Sequence, residues 1–311
     1  MLGLSRRVMY VSSIASSEPP IQVRNLTCCF GKTRALDDLS LEVPRGGVFG
    51  LMGKNGAGKT TLIKHLLGLY RPAQGTVRVL GRSPSAEPVQ VLSHIGYLSE
   101  FLDLPLWMRV DELMRYSRAF YATWDADYAE SLRQQLDLDP AARLKNLSKG
   151  QQAKAGLLVA LAFRPELLIF DEPSSGLDPV ARRDILESVI RATAEEGRTV
   201  FFSSHLLDEV ERIADRVAMI HEGRIVVSGT LAEIRREHCY WKVRLGAPPA
   251  SLPAWQGVLL ASGAGREWEL ACQGEPEILA AAFARSGATV LEQRPMKLDE
   301  VFLARVAPNG Q

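Results

Sequence analysis

Gly53-Lys54-Asn55-Gly56-Ala57-Gly58-Lys59-Thr60 is the stretch that decides the fold of this 311-residue chain. It matches the pattern of a phosphate-binding loop, follows a short apolar run at Gly47–Met52, and leads into a segment of helical character at Thr60–Leu69. Glycines in such a loop let successive backbone amides point inward, and the following helix contributes the positive end of its dipole. A strand, a loop and a helix in this order predict an α/β fold with a site for phosphate groups.

Each position of this loop has an expected role. Lys59 would reach the β- and γ-phosphates of a nucleotide, Thr60 would place its hydroxyl on Mg²⁺, and Thr61 can donate to another phosphate oxygen. The other positions expected to surround the phosphates are Gly53, Asn55, Gly56, Ala57 and Gly58.

A second apolar strand ends in two acids. Leu167–Phe170 is followed at once by Asp171 and Glu172, which suit an aspartate that holds the magnesium shell and a glutamate that polarises the attacking water. Acids at a strand end can also cap a helix or form a turn. After a phosphate loop in the same sheet, we favour the functional interpretation.

Composition excludes several classes of protein. Lys and Arg number 37 and Asp and Glu 36, a net charge of +1, so no basic excess indicates a nucleic-acid partner. The longest apolar candidate, Ala155–Phe163, is far shorter than the ~20 residues that cross a bilayer. The four cysteines show neither metal-type spacing nor a disulfide framework, which favours a reducing, cytoplasmic setting.

The chain divides into sections of different character. Residues 1–20 are serine-rich, end in Pro19-Pro20 and predict a flexible leader. Residues 21–232 predict one α/β domain, in which a mostly parallel sheet has an antiparallel β edge and a helical insert covers about residues 101–163. Residues 236–311 predict a small α+β C-terminal appendage that would form an accessory domain.

Within these sections, apolar residues at every second position predict strands, and apolar residues at helical spacing predict helices. Ile21–Leu26 alternates like an edge strand. Further strands are predicted at Leu39–Val43, Thr199–Phe202, Arg216–Ile220, Tyr240–Leu245, Thr289–Gln293 and twice within Val258–Cys272 around a turn at Ser262–Gly265, with a helix at Pro276–Ser286.

Leu147-Ser-Lys-Gly-Gln151 indicates a family. Placed at the start of a helix ahead of Asp171, it resembles the signature motif of the ATP-binding cassette (ABC) of transporters, and the resemblance covers about residues 21–230. The fold it implies is a P-loop NTPase of the ABC ATPase type, with ATP and Mg²⁺ bound. The family has glycine where this chain has Lys149. Ser148 could equally be an ordinary helix N-cap, and both roles can hold together.

The resemblance carries further roles onto individual residues. In the family, signature residues contact the γ-phosphate bound to the other subunit, which here implies Ser148, Lys149, Gly150 and Gln151 acting in trans. Phe30 matches the aromatic that stacks on adenine, although it could instead be a core residue. Glu100 stands where the family has a glutamine that senses the metal and the membrane partner, so that Thr60, Asp171 and Glu100 form the implied metal set.

Two further loops match the family. Ser175-Gly176-Leu177-Asp178 resembles the loop that crosses the dimer interface, with a simple turn as the alternative. His205 resembles the switch histidine that touches the γ-phosphate, which makes Glu172 and His205 the implied catalytic pair; a structural histidine is the alternative. The segment Lys297–Phe302 resembles part of the C-terminal extension of single-cassette exporter ATPases, where it could support dimers, regulate, or only pack.

The resemblance implies an ATPase subunit that dimerises on ATP, as a homodimer or a heterodimer of two cassettes, and drives a transmembrane permease on a separate chain. It would lie at the cytoplasmic face of the membrane, bound through that partner. The resemblance of the C-terminal extension to those of exporter ATPases is what implies export. A soluble cassette acting on a target such as the ribosome is the alternative, but a single phosphate loop argues against it. A chromosome ATPase would need a long coiled coil between the motifs, and a kinase or GTPase would not need Leu147–Gln151.

Overall fold

The computed structural model describes residues 18–100, 103–248 and 252–307, without the side chains of residues 192–196. Residues 1–17 of the predicted leader lie outside these ranges. In chain order, the strands are β1 (Ile21–Phe30), β2 (Thr33–Val43), β3 (Gly47–Met52), β4 (Gln74–Val79), β5 (Ile95–Leu98), β6 (Leu167–Asp171), β7 (Thr199–Ser204), β8 (Arg216–His221), β9 (Arg224–Thr230), β10 (His238–Leu245), β11 (Val258–Ala264), β12 (Glu267–Gln273) and β13 (Ala288–Pro295).

The helices alternate with these strands. They are α1 (Lys59–Leu66), α2 (Pro88–Leu92), α3 (Val110–Arg118), α4 (Ala126–Gln135), α5 (Lys149–Ala162), α6 (Pro179–Glu196), α7 (Leu207–Ile213), α8 (Leu231–Glu237), α9 (Pro276–Arg285) and α10 (Leu298–Val306). Helix α1 ends before the predicted Leu69 because Gly68 takes a φ of +73°, which an L-residue rarely adopts, and its amide donates to the His65 carbonyl.

A six-stranded sheet in the order β5-β6-β7-β3-β8-β9 forms the centre of the fold. Strands β5, β6, β7, β3 and β8 run parallel, while β9 pairs antiparallel with β8 at the edge. Every residue of β6 and β7 is buried, as expected for parallel strands covered on both faces. The predicted α/β fold, with a mostly parallel sheet and an antiparallel edge, is confirmed.

A second, antiparallel sheet combines two strands that precede the phosphate loop, β1 and β2, with β4, which follows it. Its order is β2-β1-β4, so β1 is the central strand. The expectation of an edge strand at Ile21–Leu26 is therefore wrong. The alternation arises because one face of β1, including Ile21, Val23 and Leu26, packs into the core while the other face carries polar residues; both of its edges are paired.

Helices α3, α4 and α5 make up the part of the chain between β5 and β6. Their ends carry ordinary capping chemistry: the Asp125 carboxylate accepts from the Tyr128 amide at the start of α4, and Glu112 accepts from the Arg109 amide at the start of α3. Helix α5 is apolar along most of its length and packs against α4, α6 and β5, which joins this helical part to the central sheet.

The C-terminal part forms its own four-stranded antiparallel sheet in the order β11-β12-β10-β13. The predicted turn at Ser262–Gly265 lies later than expected, because Ser262, Gly263 and Ala264 stay in the ladder with β12. The turn residues are Gly265, with a φ of +63°, and Arg266. Helix α9 covers this sheet, and its Phe283 packs edge-to-face on both Trp241 and Trp255.

Helix α10 contacts β11 and β12 of that sheet but does not belong to the cluster around Trp241 and Phe283. Leu298, Val301 and Phe302 belong to the same apolar cluster as residues of β3, β7 and β8, whereas Trp241 and Phe283 form a separate cluster. The Leu298 amide also donates to the Glu211 carboxylate on α7, over 3.1 Å. The last helix therefore ties the C-terminal part to the part of the chain that carries the phosphate loop.

Phe283→Ala is expected to lower the free energy of unfolding by about 3–5 kcal/mol, because the ring is completely buried between two tryptophans and its loss leaves a cavity. Urea unfolding followed by tryptophan fluorescence measures the effect. The matched control is Ile278→Ala on the same helix, where the side chain is 66% exposed, and its shift should stay within about 0.5 kcal/mol. Equal shifts in the two variants would contradict the packing described for α9.

Candidate functional site

The loop between β3 and α1 has the geometry of an anion cradle. Gly58 caps α1 with a φ of +113° and offers no side-chain cap, so the first amides of the helix remain free of side-chain acceptors. A Cβ on Gly58 would lie 2.6 Å from the Ala35 carbonyl oxygen, and one on Gly53 would lie 2.5 Å from that of Ile220. Glycine is therefore required at Gly58 by its left-handed backbone and by lack of space, and at Gly53 by lack of space.

Lys59 is buried at the first position of α1. Its Nζ donates to the carbonyl oxygens of Gly53 over 2.6 Å and Lys54 over 3.2 Å, and it lies 3.0 Å from Glu172 Oε1. The ammonium is thus held at the mouth of the loop by carbonyl groups of the loop and by the carboxylate of Glu172, the residue after β6. This is the position in which a cation can neutralise phosphate charge.

A cavity of about 270 Å³ opens in front of this loop. Its walls bring together six of the eight predicted phosphate-binding residues with Glu100 and Glu172. Ala57 and Gly53 do not line it, since they form the back of the loop, with Ala57 buried. The lining residues are Ala35, Asn55, Gly56, Gly58, Lys59, Thr60, Thr61, Glu100 and Glu172.

Asp171, at the end of β6, lies behind this cavity and is almost completely buried. Burial raises the pKa of its carboxyl group, and the nearby carboxylates of Glu172 and Glu100 act in the same direction. Hydrogen bonds from Ser203 and Thr60 oppose these effects, and the Ser203 hydroxyl donates to Oδ1 over 2.7 Å. These carboxylates repel one another and lie next to the Thr60 hydroxyl. A group of oxygen atoms of this kind suits a hard cation.

Glu172 links the phosphate loop to β7. Its backbone φ is +49°, uncommon for a residue with a side chain, and its amide donates to the Ser203 hydroxyl over 3.0 Å. Its Oε2 accepts from the His205 amide over 3.2 Å and lies 2.7 Å from His205 Nδ1, while Oε1 lies against Lys59. An ionised carboxylate only accepts hydrogen bonds, so Nδ1 carries the proton and Nε2 is left to make other contacts.

The Ser175–Asp178 loop contacts two of these features. The Ser175 hydroxyl donates to Glu100 Oε1 over 3.1 Å, and the Asp178 carboxylate accepts from the amides of Val180 and Ala181 at the start of α6. These backbone hydrogen bonds hold the pKa of Asp178 below its usual range. Leu177 is buried, whereas Gly176 is exposed with a φ of +67°.

The signature residues lie at the N-terminus of α5. Ser148 and Gln151 form a reciprocal cap, in which the Gln151 amide donates to Ser148 Oγ and the Ser148 amide donates to Gln151 Oε1. Gly150 is buried against Ala181, and Lys149 is exposed, with its Nζ close to Gly176. None of Ser148–Gln151 lines the cavity described above.

Phe30 lies at the end of β1 and is 49% exposed. Its ring packs edge-to-face on Tyr70, with centroids 5.6 Å apart, and it does not line the cavity. The exposed part of this ring is available for stacking with a planar ligand.

Comparisons with known proteins agree with this geometry. The sequence profile of the ABC transporter family matches residues 36–175. The chain is 32% identical to the daunorubicin/doxorubicin resistance ATP-binding protein of Streptomyces peucetius, across 91% of this chain and 91% of that relative. The chain belongs to the ABC transporter ATP-binding proteins.

A further relative and a solved structure are also similar to this ABC ATPase over most of its length. It is 31% identical to the Nod factor export ATP-binding protein I of Rhizobium leguminosarum bv. viciae, across 91% of this chain and 93% of the relative. A solved ATP binding subunit of an ABC transporter superposes with a TM-score of 0.64 at 31% identity, covering 70% of this chain and 92% of the other. As a member of this family, the chain binds and hydrolyses ATP.

The described parts of this ABC ATPase contain no helix with the length and apolar character needed to cross a membrane.

Several residues that complete the site were missed by the sequence analysis. Ser203 bonds both Asp171 and Glu172, and a second buried group joins Ser174 and Ser204 to Glu209 on α7. The strand predicted at Thr199–Phe202 stops before Ser203 and Ser204, which are the last residues of β7. Nothing in the local sequence indicates which acceptor a buried hydroxyl will find on a distant element.

Lys59→Ala is expected to weaken ATP binding by about 10- to 100-fold, because hydrogen bonds to charged groups contribute about 1.5–3 kcal/mol. Isothermal titration calorimetry with ATP measures this change. Lys64→Ala is the control: Lys64 lies on the same helix, outside the cavity, with its Nζ over the Tyr70 ring. Equal affinity in the Lys59 variant and the unmodified protein would contradict the role assigned to this ammonium.

Proposed function

We propose that this ABC ATPase is the energy-supplying subunit of an exporter. Two cassettes, either two copies of this chain or this chain with a second cassette, close on ATP and reopen after hydrolysis, and a transmembrane permease on a separate chain follows that motion. The observation that carries the proposal is the Glu172 carboxylate, which bridges Lys59 and His205 at the edge of the cavity. The export activity named for the Nod factor relative supports the direction of transport.

Hydrolysis in this site is an in-line transfer of the γ-phosphoryl group to water. Glu172 accepts the proton of the attacking water as general base. Lys59 and the free amides of α1 neutralise charge on the phosphate oxygens, together with Asn55, Gly56, Thr60 and Thr61, which line the cavity. His205 is held through Nδ1 by Glu172, so Nε2 is the atom that contacts the γ-phosphate, and Phe30 stacks on adenine.

The residues present fit Mg²⁺. Thr60 supplies a hydroxyl, and Asp171 and Glu100 supply carboxylate oxygens, the hard donors that this ion prefers. Burial raises the pKa of Asp171, the Glu172 and Glu100 carboxylates add to that effect, and a cation would offset their negative charge. When bound, the ion would neutralise charge on the phosphate oxygens.

The exposed start of α5 supports a dimer in which the signature acts in trans. Ser148, Lys149, Gly150 and Gln151 stay outside their own cavity, yet they present a helix N-terminus suited to an anion. Ser175–Asp178 lies beside them through the contact of Lys149 with Gly176, and it would cross the interface.

Exposed apolar side chains on the helical part support docking to a membrane partner. Trp107 is 69% and Phe120 65% exposed, and Leu106 and Tyr116 lie in the same stretch of chain. Exposed apolar patches of this kind mark interaction surfaces. We place the chain at the cytoplasmic face of the membrane through this contact, and the balanced charge of +1 supports no nucleic-acid partner.

The domain limits proposed from the sequence are a leader at 1–20, an ABC ATPase domain at 21–232 with its helical subdomain at about 101–163, and an accessory domain at 236–311. Dimer support or regulation is the proposed role of the accessory part. Asp299, Phe302 and Leu303 of α10 share a cavity with Gly53 and His205, which brings that part next to the ATP site.

Glu172→Gln is expected to reduce ATP turnover by about 10²–10⁴-fold while ATP still binds, because the amide keeps the shape but cannot accept the proton of water. Phosphate release and calorimetry measure the two quantities. Glu166→Gln is the control, since Glu166 lies at the opposite end of β6 with its side chain half-exposed. Turnover within about tenfold of the unmodified enzyme would reject Glu172 as the general base.

Ser148→Arg is expected to leave ATP binding by the single chain intact but to prevent ATP-driven dimerisation of a Glu172→Gln background. A bulky cation there would block the approach of the partner's nucleotide, whereas the loss of a helix cap costs only about 1 kcal/mol. Analytical ultracentrifugation with ATP and Mg²⁺ measures the dimer. Ser131→Arg, at an exposed serine of α4, is the control. An ATP-dependent dimer that survives Ser148→Arg means that the signature does not act in trans.

A further inference from the structure

Glu209 is a buried carboxylate on α7 that the hydrolysis described above does not use. It is 6% exposed, and its Oε2 accepts two hydrogen bonds from hydroxyl groups on different elements. Ser174 Oγ donates to it over 2.7 Å, and Ser204 Oγ donates over 3.0 Å. Both serines are 1% exposed, so neither hydroxyl has ready access to water as an alternative acceptor.

These two serines flank the proposed catalytic pair in the sequence. Ser174 stands two residues after Glu172, in the loop that continues to Asp178, and Ser204 stands directly before His205. One carboxylate oxygen of Glu209 therefore joins the segment that carries Glu172 to the segment that carries His205. The Ser204 hydroxyl also accepts from the Leu206 amide over 3.0 Å, so the bend at His205 is held on both sides.

The other carboxylate oxygen of Glu209 faces α6. Arg182 Nε lies 3.3 Å from Oε1, close enough for an ion pair, although neither atom makes a hydrogen bond with the described part of the chain. Helix α6 begins directly after the Ser175–Asp178 loop. Glu209 thus contacts the two ends of that loop, Ser174 before it and Arg182 after it.

We propose that Glu209 is a positioning residue for ATP hydrolysis, which sets the separation of Glu172 and His205 through Ser174 and Ser204. The inference rests on the proposed function, in which Glu172 and His205 act on the γ-phosphate. The 2.7 Å contact between Glu172 Oε2 and His205 Nδ1 depends on two chain segments that come from β6 and β7. Misplacement of a reacting group by about 1 Å can cost about 10²-fold in rate, so the link matters for turnover more than for nucleotide affinity.

The test compares Glu209→Ala with Glu209→Gln. Alanine removes the acceptor from both hydroxyls, and we expect kcat to fall by about 10- to 100-fold while KM for ATP changes less than about threefold. Glutamine keeps an amide oxygen for the two serines and should recover most of kcat. Asp208→Asn, an exposed acid of the same helix, is the matched control and should retain the kcat of the unmodified enzyme. An unchanged kcat in Glu209→Ala overturns the proposal, as does a loss that glutamine does not recover.

A double-mutant cycle with His205→Ala separates positioning from a general loss of structure. If Glu209 acts through His205, adding Glu209→Ala to His205→Ala should lower kcat by less than about threefold further, because the two changes are coupled. If the two substitutions instead lower kcat by independent factors that multiply in the double variant, the inference is overturned. Glu172→Gln is assayed in parallel: if that variant still turns over ATP, the proposed function has failed, whereas an inactive Glu172→Gln with a fully active Glu209→Ala rejects this inference alone.

Ser174→Ala and Ser204→Ala keep the test decisive if Glu209→Ala does not fold. Each variant removes one of the two hydroxyl groups and leaves the Glu209 carboxylate hydrogen-bonded to the remaining serine. Each should lower kcat with little change in KM and with a melting temperature close to that of the unmodified protein. If both serine variants have the kcat of the unmodified enzyme, the proposal is overturned.

Discussion

The parallel register of β3, β6 and β7 is the constraint on which the site depends. Met52 on β3 pairs with Ser204 on β7, and Asp171 on β6 pairs with Ser203, so the three strands end at the same level. The loops that follow carry the amides predicted to bind phosphate, together with Glu172 and His205. Because parallel strands present their carboxyl ends at one edge, distant parts of the sequence converge there without any connection between them.

Buried polar groups then determine the geometry at that edge. Ser203 holds Asp171 and the Glu172 amide, and Glu209 holds Ser174 and Ser204. In surroundings from which water is excluded, a hydroxyl without a partner is costly, so these contacts permit few alternative arrangements. The left-handed backbone of Glu172 is maintained by this network rather than by its own preference.

The C-terminal part is joined to this arrangement by its last helix. The four-stranded sheet has its own core around Trp241 and Phe283, but Leu298, Val301 and Phe302 pack into the core of the ATP-binding part. Helix α10 also borders the cavity that contains Gly53 and His205. Helix α10 therefore forms part of the immediate surroundings of the phosphate loop and of His205.

Local chemistry explains which features could be predicted. The phosphate loop, the acids after β6 and the signature at α5 depend on glycine conformations, strand ends and helix caps, all of which are properties of neighbouring residues. The family and the α/β fold with its antiparallel edge followed from these motifs and were confirmed. The position of β1 between β2 and β4 was not predictable, because alternation reports a buried face and not how many strands pair with it.

The amino-acid sequence by itself determined that this chain is an ABC ATPase, and it predicted which short segments surround the nucleotide. Only the tertiary structure decided that Glu172 bridges Lys59 and His205, that Lys149 lies against Gly176, and that Glu209 joins two serines from separate loops. The physical reason is that a motif is defined by covalent neighbours and local backbone geometry. A buried side chain, in contrast, takes its partner from whatever the packing of strands and helices brings within hydrogen-bond distance.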